Sequence, residues 1–346
     1  MVLSSEQMTV SVIIPVFRAG ETLCQCLLSL TQSRPSPDEV IVVADGEGDG
    51  SWRLAGEFNA LSIQINGPKG PACARNKGAS LSHGNILFFI DSDVSVPPDT
   101  IGKVLQTFRN HPDLAAVIGS YDDDPAIDHF FTRFKTLFQH FIHQTAREEA
   151  STFWGACGAI RRDIFFALGG FDEKYRRPSI EDIELGYRIK KAGYRIHLSK
   201  TLQVKHLKKW SLPSLLRSDI FNRALPWTDL ILRRRWLIDD LNLRTSSRLS
   251  VLCTFGLLVS WIGVKWWYGF FLIAMASILS LLTMNFPLYR FFYRRCGFKF
   301  TIMAIPLHWL YYFYSGLTFL ICTLLLPFRH PKKEGRADDH LGKGRD

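Results

Sequence analysis

Asp91-Ser92-Asp93 closes an apolar run, Ile86-Leu-Phe-Phe-Ile90. A buried strand there delivers two carboxylates into one loop. Side chains alternate along a strand, so Asp91 and Asp93 can share a face. Paired carboxylates at such a position can hold Mg²⁺ or Mn²⁺, a cation that bridges and neutralises a diphosphate. Departure of a nucleoside diphosphate builds negative charge, and a cation is a direct way to stabilise it. Taken as a bare tripeptide, Asp-x-Asp reads more simply as a solvated turn. The apolar strand in front of it sets this one apart.

Two further stretches carry candidate chemistry. Glu181-Asp182 stands just before Ile183-Glu184-Leu185-Gly186-Tyr187-Arg188 and opens a helix. Acidic residues are favoured there by the helix dipole, which is one reading. The other makes Asp182 a general base that deprotonates an acceptor hydroxyl. Gly67-Pro68-Lys69-Gly70-Pro71-Ala72-Cys73-Ala74-Arg75-Asn76 leads small residues into a helix start and presents an arginine. Helix N-termini and arginine suit phosphate. A Gly-Pro turn beside a surface arginine is the plainer reading.

The elements that must position these residues alternate. Val10 to Ile14, Val40 to Val43, Ile86 to Ile90 and Leu114 to Ile118 read as strands. Glu21 to Leu30, Ala72 to Leu81 and Thr100 to Phe108 have helical spacing. Alternation predicts an α/β domain with a mostly parallel sheet and helices on both faces. Ligands sit at the carboxyl ends of strands in such sheets, where Asp45, Asp91 and Asp93 fall.

The pattern changes near Trp210. Trp210 to Arg248 mixes Leu and Trp with arginines and reads as amphipathic helices on a membrane surface, or as ordinary core-packing helices. From Val251 to Phe286 the chain is apolar except for Lys265, with Trp261, Trp266 and Trp267 near the middle. That is longer than the ~20 residues one span needs, and suits a hairpin turning near Lys265. Ile302 to Leu326 is a further span candidate, giving two to three spans. The expected division is a catalytic domain over 1–209, interfacial helices over 210–248, transmembrane helices over 249–328 and a polar tail over 329–346.

The net charge is +10, and the basic residues crowd the second half beside apolar runs. This placement matches juxtamembrane anchoring. No recognition-helix, RNP or zinc-finger pattern favours nucleic acid. Seven cysteines without paired CxxC motifs argue against zinc and suggest reduced thiols. The polar stretch Met1 to Thr9 lacks the apolar core of a signal peptide, so the expected location is the cell membrane, multi-pass, with the first domain cytoplasmic.

In series, the motifs resemble the family 2 glycosyltransferases, an inverting family with a GT-A fold. The matching stretches are Val10 to Phe17, Glu39 to Asp45 with Gly50-Ser51, Gly70 to Asn76, Ile90 to Asp93, Gly155 to Ile160 with Leu168 to Asp172, and Glu181-Asp182. Together they cover about residues 9 to 207. The resemblance implies that Pro15, Val16 and Phe17 line a nucleotide pocket and that Asp45 contacts base or ribose. Arg75 would sit near the phosphates, Asp91 would face the nucleotide and Asp93 would ligate Mg²⁺ or Mn²⁺. Gly155 and Gly158 would form the acceptor-side wall, Glu181 would shape the acceptor site and Asp182 would be the catalytic base. His206 follows a strand and reads as structural ahead of phosphate-contacting.

Two departures bear on this. Gly46-Glu47-Gly48 replaces the second acidic or Asn residue and Ser usual after the second strand. Arg235-Trp236 matches the end of the QxxRW motif of processive members, but Leu232 stands at the Gln position, which favours transfer of a single sugar. The implied activity is transfer from a nucleotide sugar, UDP-linked ahead of GDP-linked, to a hydroxyl of a lipid or lipid-linked acceptor of the cell envelope. The alternatives are a polyprenyl-phosphate sugar synthase and an inactive membrane scaffold that binds nucleotide sugar.

Overall fold

The computed structural model of the chain describes residues 8–46, 48–234 and 239–329. Glu47, Arg235, Trp236, Met1 to Gln7 and the tail from His330 on, all of which entered the sequence reading, lie outside the described residues. The first half runs β1 (Val10–Val16), α1 (Gly20–Thr31), β2 (Glu39–Asp45), a 3₁₀ segment (Ser51–Phe58), β3 (Leu61–Ile65), α2 (Pro71–Leu81), β4 (Ile86–Ile90), β5 (Val94–Ser95) and α3 (Thr100–Asn110). It continues through β6 (Leu114–Tyr121), α4 (Phe130–Thr145), β7 (Glu149–Ala150), β8 (Cys157–Arg161), α5 (Arg162–Ala167), α6 (Glu181–Lys191) and β9 (Arg195–His206).

The strands form one sheet in the order β3-β2-β1-β4-β8-β6-β9-β5, with β7 also on β9. The first four are parallel to one another. β8 then enters antiparallel between β4 and β6, while β6 and β9 pair parallel. β1 and β4 are buried along their whole length, because helices cover both faces of the centre of the sheet. One continuous core of Val, Ile, Leu and Phe from β1, β4, β6, β8, α1 and α3 fills the space between the layers. The parallel pairing puts the carboxyl ends of β1, β2 and β4 on one side, so Val16, Asp45 and Asp91 emerge along one edge.

Beyond β9 come α7 (Leu212–Arg217), a π-helical stretch (Ser218–Ala224), α8 (Leu225–Arg234), a 3₁₀ turn (Leu241–Leu243), α9 (Thr245–Gly263), α10 (Gly269–Met284) and α11 (Phe286–Arg329). The helical backbone of α11 breaks at Gly297, where φ is 80°. α7 and α8 read from sequence either as helices on a membrane surface or as core-packing helices, and Leu215, Leu230 and Ile231 on them are buried by protein. Leu215 joins Phe134, Phe138, Phe292 and Phe300 between α4 and α11. Leu230 packs with Ile180 and Tyr187 of the α6 region. Amphipathicity alone does not distinguish lipid from protein as the apolar partner.

α9 and α10 form an antiparallel hairpin: Gly256 faces Ser277 and Gly263 faces Phe270. The turn spans 264–268 and includes Lys265. Trp261, Trp266, Trp267 and Tyr268 stand exposed about it. Among the described residues α9 is long and apolar enough to cross a membrane, and α10 with α11 meets the same criteria only as a pair bent by 61°. That is one such element, or two with the bent pair counted as one span, beside an expectation of two to three.

Candidate active site

The site is built around Arg75. Gly70 precedes α2 at φ +96°, and a Cβ there would meet the Arg176 carbonyl carbon at 2.6 Å. Only glycine fits both demands. The turn is fixed by Asp45 at the end of β2, whose two carboxylate oxygens accept hydrogen bonds from the N–H groups of Lys69 (2.6 Å) and Gly70 (2.8 Å). α2 starts with Pro71 in its first turn, and one turn on Arg75 points inward, 4% exposed.

The guanidinium bridges two chain-distant acids. It donates to Asp91 Oδ1 at 2.7 Å and to Glu181 Oε1 at 2.9 Å, and lies over the Phe171 ring. Burial opposes its charge, but the pull of Asp91, then Glu181 and Asp182, outweighs that and holds Arg75 firmly protonated. The acids respond differently. Burial raises the Asp91 carboxyl, Arg75 lowers it and Asp93 raises it again, for a net rise. Glu181 is likewise raised, by burial first and against the pull of Arg75. One guanidinium does not fully compensate this many clustered carboxylates.

Asp93 and Asp182 are not bound to Arg75. The two-residue β5 pairs with the end of β9, Val94 opposite His206, and Leu207 N–H donates to the Asp93 carbonyl. That pairing sets Asp93 Oδ2 3.6 Å from His206 Nε2. Burial pushes the Asp93 carboxyl up, but the neighbouring His206 imidazole and the charge of Lys208 bring it below its ordinary value. His206 stacks on Tyr121 with ring centres 4.3 Å apart, and its Nδ1 is buried without a partner among the described residues. Tyr121 in turn meets the edge of Trp154.

Asp182 occupies the first turn of α6. Its Oδ2 accepts the Gly155 N–H at 3.0 Å and its Oδ1 accepts the Ile183 N–H at 2.8 Å. α6 lies flush against the segment before β8: a Cβ on Gly186 would come within 2.1 Å of Phe153 N. From the other side α8 braces α6, with Trp227 Nε1–H donating to Tyr187 Oη at 3.0 Å.

The structure therefore unites Arg75, Asp91, Asp93, Gly155, Glu181, Asp182 and His206 in one continuous contact set. A Cβ on Gly155 would press on the Arg75 guanidinium at 3.1 Å. Gly158 has a packing duty: a Cβ there would meet Trp154 O at 2.4 Å and the Phe153 ring at 2.6 Å. Pro15 and Val16 are buried at the end of β1, while Phe17 is 52% exposed with the Arg18 guanidinium over its ring. Among the described residues no side-chain hydrogen bond or ion pair joins these three to the set, and Asp45 is tied to it through the turn it fixes. Tyr121, Trp154 and Tyr187 are the additions that sequence reasoning missed, since nothing local marks an aromatic residue as a second layer behind an acid.

Among the described residues, no three His, Cys, Asp or Glu side chains group so as to hold a metal ion by themselves. Asp93 and His206 offer one carboxylate and one imidazole. This fits a cation of the Mg²⁺ or Mn²⁺ type completed by substrate phosphate oxygens, the usual arrangement where the protein supplies only one or two ligands.

The sequence and the fold have known counterparts. A family described as glycosyl transferase family 2 matches residues 11–169, and one described as the N-terminal domain of galactosyltransferase matches residues 136–210. Over residues 11–169 the α/β domain belongs to glycosyl transferase family 2, and it has the GT-A fold. The chain is a glycosyltransferase. It is similar to the glucosyl-dolichyl phosphate glucuronosyltransferase of Haloferax volcanii, 25% identical over 58% of this chain and 69% of that protein. It is also similar to the probable glycosyltransferase YdaM of Bacillus subtilis, 28% identical over 54% of this chain and 48% of that protein, so it spans about half the length of the latter. In fold it resembles a mannosyltransferase, PcManGT of Pyrobaculum calidifontis, solved with GDP-Man and Mn²⁺. The TM-score is 0.57 at 17% identity, over 91% of this chain and 88% of that one.

Proposed function

We propose that this glycosyltransferase inverts configuration while moving one sugar from a nucleoside diphosphate sugar to a hydroxyl of a lipid or lipid-linked acceptor at the membrane, with the α/β domain cytoplasmic. The carrying observation is the placement of Asp182. It sits beside Asp91 and Glu181 but has no ion pair with Arg75, and main-chain N–H groups fix both its oxygens. A carboxylate so held keeps lone pairs for an incoming hydroxyl.

In this reading Asp182 takes the acceptor proton as the hydroxyl oxygen forms its bond to C1, and the C1–oxygen bond to the nucleoside diphosphate breaks with its electron pair leaving on phosphate. One displacement inverts the anomeric centre. Arg75 orients Asp91 toward the nucleotide and Glu181 toward the acceptor. Asp93, with His206 behind it, would hold Mg²⁺ or Mn²⁺. When bound, the cation supplies neutralisation of the departing diphosphate. Val16 and Asp45 close the nucleotide side, and a UDP-sugar is favoured over a GDP-sugar. The apolar α9 and a relative named for glucosyl-dolichyl phosphate support a membrane acceptor.

The test is donor turnover by detergent-purified protein against a panel of UDP- and GDP-sugars, with Mn²⁺, Mg²⁺ or EDTA, and with Asp93→Ala alongside. Metal-dependent turnover of one donor, lost in the variant, is the expected outcome. Turnover that ignores EDTA and survives Asp93→Ala would remove the assigned roles of Asp93 and the cation.

A further inference from the structure

A cavity of about 550 Å³ lies where α4, the π-helical stretch, α8, α9 and α11 meet. Its size falls within the ~300–1,000 Å³ of small-molecule sites. Most of its wall is apolar, from Phe138, Ile142, Ile231, Val251, Phe255 and Phe319. Close packing normally leaves no such space in a core. Its mouth lies between α9 and α11, because Leu252, Phe319 and Leu320 both line it and stand exposed on the apolar outer face of those helices. At that joint Gly316 admits Val251 and Phe255 so closely that a Cβ would sit 2.5 Å from Val251 Cγ1.

The inner end is polar, and its charges do not cancel. Lys135 and Asp219 form a buried ion pair, and the other Asp219 oxygen accepts the Tyr314 hydroxyl at 2.7 Å. Asp219 is thereby spent. Arg223 lines the same end and has no ion pair or hydrogen bond among the described residues. A short aromatic wall separates this end from the active site. His143 lines the cavity and meets Trp154 edge-on at 4.8 Å. Trp154 meets Tyr121 at 4.8 Å, and Tyr121 stacks on His206, which faces Asp93. The positive field of Arg223 also reaches Tyr121 and His143.

We infer that this cavity takes the hydrocarbon chain of a phosphate-headed membrane lipid, entering between α9 and α11, with Arg223 binding the phosphate behind the Asp93–His206 side of the active site. The inference deepens the proposed function and rests on it for the statement that this lipid is the acceptor carrier. A single chain suits an apolar slot that opens between α9 and α11. An uncompensated guanidinium at the end of an apolar slot complements one anionic head group.

The test uses the full-length protein in detergent and a diazirine-bearing isoprenyl phosphate, compared with the corresponding isoprenol. Labelling of the wild type should map to the cavity walls on α4, α9 and α11. Arg223→Gln should cut labelling by the phosphate about tenfold, Arg223→Lys should restore much of it, and labelling by the isoprenol should change little. Labels confined to the outer face of the α9–α10 hairpin overturn the inference, as does equal labelling of wild type and Arg223→Gln by the phosphate. The wild-type map decides the matter even if a variant fails to fold. Cavity labelling without sugar transfer from any donor would sink the proposed function and leave the lipid site standing. Sugar transfer without cavity labelling would do the reverse.

Discussion

The two acidic pairs of the site, Asp91 with Asp93 after β4 and Glu181 with Asp182 at the start of α6, share one design at different places in the chain. Each offers two carboxylates, and in each Arg75 takes one: Asp91 in the first, Glu181 in the second. The remaining carboxylates, Asp93 and Asp182, are held by other groups, an imidazole in one case and main-chain N–H groups in the other. Doubling the acid therefore does not double the chemistry. One member ties its pair to a common cation, which sets the separation between pairs, and the other is left to act.

If the division holds, the largest effect should come from Asp182→Asn. Loss of a general base costs about 10²–10⁴ in transfer rate, and binding of the donor nucleotide, read by calorimetry, should survive. Asp93→Ala should follow, with a fall of about 10²–10³ and loss of the response to added Mn²⁺ in a steady-state assay. Equal defects in Asp182→Asn and Glu181→Gln would break the comparison. Arg75→Met removes the shared cation and leaves the buried Glu181 and the partly exposed Asp91 unpaired, a cost of about 3–5 kcal/mol that comes mainly from Glu181, measured as a lowered denaturation midpoint.

The smallest effect is a pH signature. Glu181 is raised in the folded protein, so it binds its proton more readily folded than unfolded. Its contribution is complete below the unfolded carboxylate value, about 4.3, and is lost as pH rises through the folded value. The stability margin of wild type over Glu181→Gln should therefore shrink from pH 4 upward, as urea midpoints across that range will show. A margin that grows with pH would mean that Arg75 outweighs burial at Glu181.

Much of this was legible in the chain. Ile86 to Ile90 ends at Asp91 in sequence and in structure, because five apolar residues before an acid leave little choice of register. The helix starting at Pro71 and the acids opening α6 followed from local rules of the same kind. What was not legible depends on distant partners. The antiparallel entry of β8 is set by where the chain returns, not by its own five residues. That Arg75 spans 106 positions to Glu181 has no local mark, nor does the 3.6 Å approach of His206 to Asp93, which a two-residue strand creates. Helical periodicity correctly found an apolar face on α8, and only the packing of Leu230 on Ile180 and Tyr187 reveals what covers it.

Gly186 touches no substrate-facing group, yet it bears on rate. With no room for even a methyl group against Phe153, the helix bearing Asp182 rests on a bare seat. Any side chain at 186 acts as a shim. It would have to lift the helix by roughly 1 Å, opening the 3.0 Å hydrogen bond between Asp182 and Gly155 and detuning the base while every acidic residue was retained. The reactivity of this site is thus geared to the thickness of one missing side chain a full turn below it.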